Sequence, residues 1–254
     1  MTEPYAHPRR ALVSGASTGI GEETVRLLRA RGWEVVATAR RRDRLDALAA
    51  ETGCEPFAAD LTQDDDVAAL AAFATSRPGP PLSALVNVAG GALGMDSIAD
   101  ADVGRWQAMY DRNVLATLRL TTAVLPQLRA QGGGDVVLIS STAGHDTYPG
   151  GGGYVAAKHA ERVIATTMRL ELVGEPIRVI DIAPGMVRTP EFSLNRLGSA
   201  EAADAVYAGV DEPLTAGDVA EAVAWTLSLP RHVNIDSLVM RPLAQASNTV
   251  VARR

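Results

Sequence analysis

Short apolar runs and longer amphipathic stretches alternate along this chain. Residues 11–14 (Ala-Leu-Val-Ser) form an apolar run that enters a glycine-rich turn. Residues 22–29 then carry Val25, Leu27 and Leu28 among Glu22, Glu23, Arg26 and Arg29. The first pattern predicts a buried strand and the second a helix with one apolar face. The alternation continues to the end. It predicts strands at 34–38, 55–58, 82–88, 135–140, 176–183 and 235–242, and helices at 43–50, 64–75, 103–131, 154–173 and 217–229. The run at 82–88 is nearly continuous in apolar residues, as a parallel strand covered on both faces requires. Arg77-Pro78-Gly79-Pro80-Pro81 reads as a loop by its breakers. Residues 192–209 have modest helical character. Asp102 suits one N-cap, and Thr215 or Asp218 another. This order predicts an α/β fold, a single doubly wound parallel sheet with helices on both faces. One domain is expected over residues 10–254, with an insertion at about 190–212, behind a disordered polar tail at 1–9.

Composition narrows the classes. A chain of 254 residues with 47% hydrophobic content can bury a full core. The net charge of −6 offers no basic face for nucleic acid. No apolar run approaches the ~20 residues of a membrane helix, and the polar start lacks a secretory h-region. Cys54 is the only cysteine. No intrachain disulfide can form, so a reducing, cytoplasmic setting is expected. No metal site is expected.

The chemistry gathers at Tyr154-Val155-Ala156-Ala157-Lys158, just after four glycines. The 24 Lys and Arg residues comprise 23 arginines and one lysine, Lys158. Lys is a compact point charge on a flexible stem, whereas Arg is a rigid fork. At helical spacing the phenol and the ammonium share a face, and a nearby cation favours the phenolate. The pair reads as a tunable proton donor and acceptor, although a surface lysine beside a packed tyrosine has the same spacing.

Other polar residues follow strand ends, where such sheets bind ligands. Gly15, Ser17, Thr18, Gly19, Ile20 and Gly21 form a turn that opens a helix, whose free N–H groups suit a phosphate. Its spacing is Gly-x-x-x-Gly-x-Gly, and a purely structural turn fits it too. A dinucleotide domain places an acid on the adenosine ribose at the end of the second strand. Here that strand ends in Arg40, Arg41 and Arg42 with no acid. Arginines suit a 2′-phosphate, so NADP(H) is expected over NAD(H). Arg40 lies closest to the strand end, Arg41 is next, and Arg42 reads as solvated. A solvated basic cluster is the alternative. Asp60, Asn87, Ser141 and Pro184 follow other strand ends, and Asn113 sits in the long helix pattern. Asn is a poor helix-interior residue, so Asn113 has either a polar role in the site or a backbone bond in the core.

Taken together, these motifs resemble the short-chain dehydrogenase/reductase family over essentially the whole chain. Residues 14–21 resemble its Thr-Gly-x-x-x-Gly-x-Gly turn, with Ser14 for Thr. Asn87-Val88-Ala89-Gly90 resembles its Asn-Asn-Ala-Gly, with Val88 for the second Asn. That departure should touch strand-to-strand support more than chemistry. Asn113, Ser141, Tyr154 and Lys158 match the catalytic tetrad, and the thirteen-residue separation selects Ser141 over Ser140. The resemblance implies a Rossmann fold and reversible hydride transfer between NADP(H) and a carbonyl or secondary alcohol. It implies that Tyr154 exchanges the proton, Lys158 lowers its pKa and holds the nicotinamide ribose, Ser141 bonds the carbonyl oxygen, and Asn113 holds a relay water. It implies cofactor contacts at Asp60, Leu61, Asn87, Ala89, Gly90, Pro184, Gly185, Val187 and Thr189.

Residues 214–223, 229–235 and 241–245, with Thr189-Pro190-Glu191-Phe192-Ser193 and Arg196, resemble a subgroup of NADP-dependent 3-hydroxy acid dehydrogenases and related aldehyde reductases. A small 3-hydroxy acid or semialdehyde is the expected substrate. The alternatives are a ketoreductase or aldehyde reductase of a larger metabolite, and a cofactor sensor without turnover. Ser141, His145, Tyr148, Met186 and Arg196 are expected to meet substrate, with the insertion as a substrate loop. A solvated histidine and a surface salt bridge are the alternatives for His145 and Arg196. The resemblance also implies a homotetramer, or a homodimer, built on the helices at 103–131 and 154–173 and on the last strand.

Overall fold

The computed structural model describes residues 9–254. Residues 1–8 of the expected tail lie outside the described residues. Arg9, its last member, is anchored: its guanidinium donates to Leu227 O and to the Asp135 carboxylate and stacks over Trp33.

The strands are β1 (Arg10–Val13), β2 (Glu34–Ala39), β3 (Glu55–Ala58), β4 (Leu82–Asn87), β5 (Gly134–Ile139), β6 (Ile177–Pro184), β7 (Val187–Arg188), β8 (Leu214–Thr215) and β9 (Ser237–Met240). β7 and β8 pair with each other, and the rest form one seven-stranded sheet in the order β3-β2-β1-β4-β5-β6-β9. Every pairing in the sheet is parallel. The expected doubly wound Rossmann-type sheet is the one observed. The order reverses between β1 and β4, the switch point where the carboxyl ends of strands open a crevice.

Helices α1 (Gly19–Ala30), α2 (Arg42–Thr52), α3 (Asp64–Ser76), α4 (Val103–Tyr110), α5 (Ala116–Ala130), α6 (Gly152–Glu171), α7 (Phe192–Leu197), α8 (Ala200–Tyr207) and α9 (Ala216–Ser228) complete the described chain. Successive strand residues point to opposite faces, and the core divides accordingly. Leu12, Val36, Leu85, Val136, Leu138 and Val179 pack with α3, α5 and α6. Ala11, Val13, Val35, Ala37, Val86, Val137, Ile139 and Ile180 pack on the other face with α1, α2 and α9. Thr215 and Asp218 both serve at the start of α9, as the two halves of a capping box.

Three local expectations change. The helix expected over 103–131 is interrupted by a π turn at Asp111–Leu115. There the Asn113 amide donates to Met109 O, four residues back, which satisfies a carbonyl next to the widened turn. The catalytic-motif helix α6 begins at Gly152, not at 154. A Cβ at Gly152 would lie 2.9 Å from Trp106, and one at Gly153 would lie 2.3 Å from Met109. The bare glycines are what let α6 lie against α4. The insertion forms α7 and α8, held between β7 and β8.

Candidate active site

A cleft of about 1270 Å³ opens at the carboxyl ends of the strands. At one end lies the glycine turn. Gly15 has φ +65°, and a Cβ there would come within 2.9 Å of Ala89 N, so a side chain would be both strained and blocked. A Cβ on Gly21 would come within 2.4 Å of Gly15 O, which ties the first turn of α1 to the loop. Gly21 supports the turn from behind, while Gly15, Ser17, Thr18, Gly19 and Ile20 face the cleft. Thr18 makes no side-chain cap bond. The first N–H groups of α1 therefore keep their donors for a bound anion.

Ser14 explains why Val88 is tolerated. Its Oγ accepts from Val88 N at 3.0 Å and Ala89 N at 3.1 Å, and its N–H donates to Val86 O at 3.0 Å. The hydroxyl and the backbone link β1 to the end of β4 without a second asparagine. Asn87 is buried and bonds Thr121 on α5 at 3.2 Å; it does not reach the cleft wall as expected, whereas Ala89 and Gly90 do.

Arg40 and Arg41 both line the cleft but differ in availability. Arg40 is exposed and carries no hydrogen bond or ion pair among the described residues. Arg41 grips the Glu191 carboxylate with two bonds of 2.8 Å and reaches Ser17 Oγ at 3.1 Å. Arg42 pairs with Asp46 on its own helix, the solvated role expected of it. Asp60 accepts from Thr62 N at 3.0 Å and Thr62 Oγ1 at 2.8 Å, and the backbone bond first of all holds its carboxyl below the usual range. An uncapped helix start, a glycine cradle and an unpaired arginine together fit a phosphorylated dinucleotide.

Deeper in, Ser141, Tyr154 and Lys158 meet on the cleft wall. Ser141 follows β5, and its Oγ accepts from Ala143 N at 3.1 Å. The Tyr154 ring packs edge-on against Phe192 at 5.6 Å. Lys158 Nζ lies 5.9 Å from the Tyr154 ring centre, donates to Ile139 O at 3.1 Å and pairs with Glu161 at 2.5 Å. The expected depression of the phenol is not found. Burial pushes the Tyr154 pKa up most strongly, and the Lys158 charge and the Ser141 hydroxyl pull against it, leaving it raised. Asn113 is buried away from the cleft surface. It clasps Gly91 by both N–H and carbonyl at 2.9 Å and so fixes the Gly90–Gly91 wall.

The other end is closed by the insertion. Tyr148, Met186 and Arg196 line it, as do Pro184, Gly185, Val187 and Thr189. Arg196 donates to Gly94 O and to Tyr148 Oη, both at 3.1 Å, and its guanidinium sits 5.8 Å from the Tyr154 ring centre. Its Nη2 is buried with no partner among the described residues. His145 turns away instead. It stands 3.7 Å from Asp181 behind the wall, and burial lowers its pKa.

Three contributors escaped sequence reading as site residues. Gln245 accepts from Met186 N at 2.8 Å, and Asn248 accepts from Thr142 Oγ1 at 2.7 Å. Gln245 falls in the 241–245 segment that resembles the subgroup but carries no local sign of a site role, and nothing local marks Asn248. Glu161 carried a signal, because it stands one turn beyond Lys158 on the same helix face.

The short chain dehydrogenase family model matches residues 9–197. An uncharacterized oxidoreductase of Mycobacterium tuberculosis is 50% identical over 248 residues, covering 97% of this chain and 96% of that one. A serine 3-dehydrogenase of Agrobacterium fabrum is 40% identical, covering 92% and 94%. A solved closed form of serine dehydrogenase complexed with NADP+ superposes with a TM-score of 0.89 at 36% identity, covering 96% of this chain and 99% of that one. With the sheet, the glycine turn and these matches in agreement, the chain belongs to the short-chain dehydrogenase family and is an oxidoreductase of that kind.

Proposed function

We propose that this protein is an NADP(H)-dependent dehydrogenase acting on a small 3-hydroxy acid or the corresponding carbonyl acid or semialdehyde. The observation that carries the substrate class is Arg196. It is fixed by two bonds above the Tyr154 ring, it lines the cleft, and its buried Nη2 has no partner among the described residues. A buried guanidinium donor without an acceptor is costly, and a substrate carboxylate would supply that acceptor in a charge-assisted bond. The serine 3-dehydrogenase relative, whose named substrate is a 3-hydroxy acid, supports the same class.

When bound, the nicotinamide supplies or accepts the hydride. The chain does the rest. Ser141 donates a hydrogen bond to the substrate oxygen and fixes its approach, and Tyr154 gives that oxygen a proton or takes one from it. Lys158 sets the charge at the phenol and, lining the cleft, would hold ribose hydroxyls. Asn113, bonded to Gly91, steadies the Gly90–Gly91 wall beside Lys158. At the nucleotide end, the α1 N-terminus suits the pyrophosphate and Arg40 the 2′-phosphate, which supports NADP(H) over NAD(H). The solved relative is complexed with NADP+, which supports NADP(H) as the cofactor.

Exposed Leu118 on α5, Val163 and Leu170 on α6, Trp225 on α9, and Leu243 just after β9 support self-association as a homotetramer or homodimer. Among the described residues no helix is long and apolar enough to cross a membrane. The lone buried Cys54 is in keeping with a reducing cytoplasm.

The test is oxidation of NADPH, with NADH in parallel, against small β-keto acids, semialdehydes and neutral ketones. Activity on the small acids is expected. Arg196→Ala should raise KM for acids by about tenfold or more, the value of one charge-assisted contact, and leave neutral ketones unchanged. Activity confined to bulky neutral carbonyls would instead mark a reductase of larger metabolites.

A further inference from the structure

Lys158 has a partner that the acid–base reading does not call for. Glu161 is 1% exposed. Its Oε2 lies 2.5 Å from Lys158 Nζ, and its Oε1 accepts from Thr117 Oγ1 of α5 at 3.2 Å. Helices α5 and α6 thus seal a carboxylate against the one lysine of the chain. The remaining contact of Lys158 is Ile139 O at 3.1 Å, at the end of β5. This pair is not a solvated accident, because a buried carboxylate survives only when paired and hydrogen-bonded, and both oxygens of Glu161 are engaged.

A carboxylate here opposes the usual service of the lysine. The ammonium favours the phenolate, and a counter-ion against it cancels part of that field. We propose that Glu161 is a positioning residue that acts through Lys158: it pins the ammonium at the inner end of the cleft and weakens its pull on Tyr154, so that the phenol holds its proton at neutral pH and the site favours proton donation, the reductive direction. The inference rests on Tyr154 being the acid–base group.

The other polar groups around the phenol are accounted for. Ser141 and Lys158 favour the phenolate, while burial, Tyr148 and Glu161 oppose it. Arg196 of α7 stands 5.8 Å from the ring centre. Behind Glu161 lies buried Asp181 of β6, which faces His145 and Arg162 at 3.7 and 4.0 Å. From α4, the neighbours packed around Tyr154 are the uncharged Trp106 and Met109. Among the described residues, Glu161 is the one carboxylate paired with Lys158.

The experiment compares wild type with Glu161→Gln, which keeps shape and removes charge, and Glu161→Asp, which keeps charge. Alcohol oxidation with NADP+ requires the phenolate, so kcat/KM rises with pH through the Tyr154 pKa. In Glu161→Gln that acidic limb should move down by about one pH unit, the scale of a unit charge at short range under an effective dielectric of about 20. In Glu161→Asp it should return most of the way. An ultraviolet difference titration of the phenol, taken against Tyr154→Phe in each background, reads the same shift without turnover. Should Glu161→Gln not fold, Thr117→Val loosens the carboxylate and should give a smaller shift of the same sign. An unchanged limb, or one that moves up, in a folded Glu161→Gln protein overturns the inference. Turnover retained in Tyr154→Phe overturns the acid–base reading instead, and the titration still reports on Glu161.

Discussion

Two cation–carboxylate pairs border the cleft, and they are built in opposite ways. Lys158 and Glu161 stand three residues apart on one helix and are almost fully buried. Arg41 and Glu191 stand 150 residues apart and meet on the rim, with side chains 40% and 23% exposed. The inner pair is set by helix geometry and shielded from solvent. The rim pair exists only because the insertion folds back over the end of β2, and water and salt compete for both partners. The difference divides the cleft into a rigid chemical wall and an adjustable rim. At similar distances, 2.5 and 2.8 Å, the two pairs should therefore carry different energetic weight.

The largest test of that contrast is Glu161→Ala. It leaves an ammonium buried without its counter-ion and should cost roughly 3–5 kcal/mol of folding stability, read by urea unfolding. A loss no larger than that of a surface pair would show the inner wall to be less rigid than described. Next is Arg40→Ala, which removes a rim arginine that makes no ion pair among the described residues. NADPH binding should weaken by about tenfold or more, with NADH little changed, as measured by fluorescence titration. Equal losses for both would argue against 2′-phosphate recognition at the rim. The smallest effect belongs to Glu191→Gln. Stability should change by less than about 1 kcal/mol, and less still in high salt. Arg41, released from its carboxylate, should bind NADPH slightly more tightly.

Much of the architecture was legible because it is local and periodic. Apolar runs at 82–88 and 135–140 announce strands covered on both faces, and β4 and β5 are there. The glycine turn was readable because Gly15 must adopt a positive φ close to Ala89, and no other residue type does so without strain. The π turn at Asn113 was not readable. A widened turn has nearly the periodicity of the helix around it, and the Asn113 at its centre bonds Gly91, a partner outside the helix. His145 was misplaced for a related reason. Sequence puts it on the loop before Tyr154, but its ring turns toward Asp181, at the back of the wall.

By itself, then, the sequence determined the alternating strands and helices, the turn at Gly15, and the helical spacing that sets Tyr154, Lys158 and Glu161 on one face. Those features follow from backbone sterics and from repeats of two and 3.6 residues, which act within a few positions. The tertiary structure decided which cation stays available. It paired Arg41 with Glu191 and left Arg40 open. It set Arg196 over Tyr154 with a donor unused, and it pressed Glu161 against the lysine under Thr117 of another helix. Charge and burial act through space, and the distances that set them arise only when remote segments pack together.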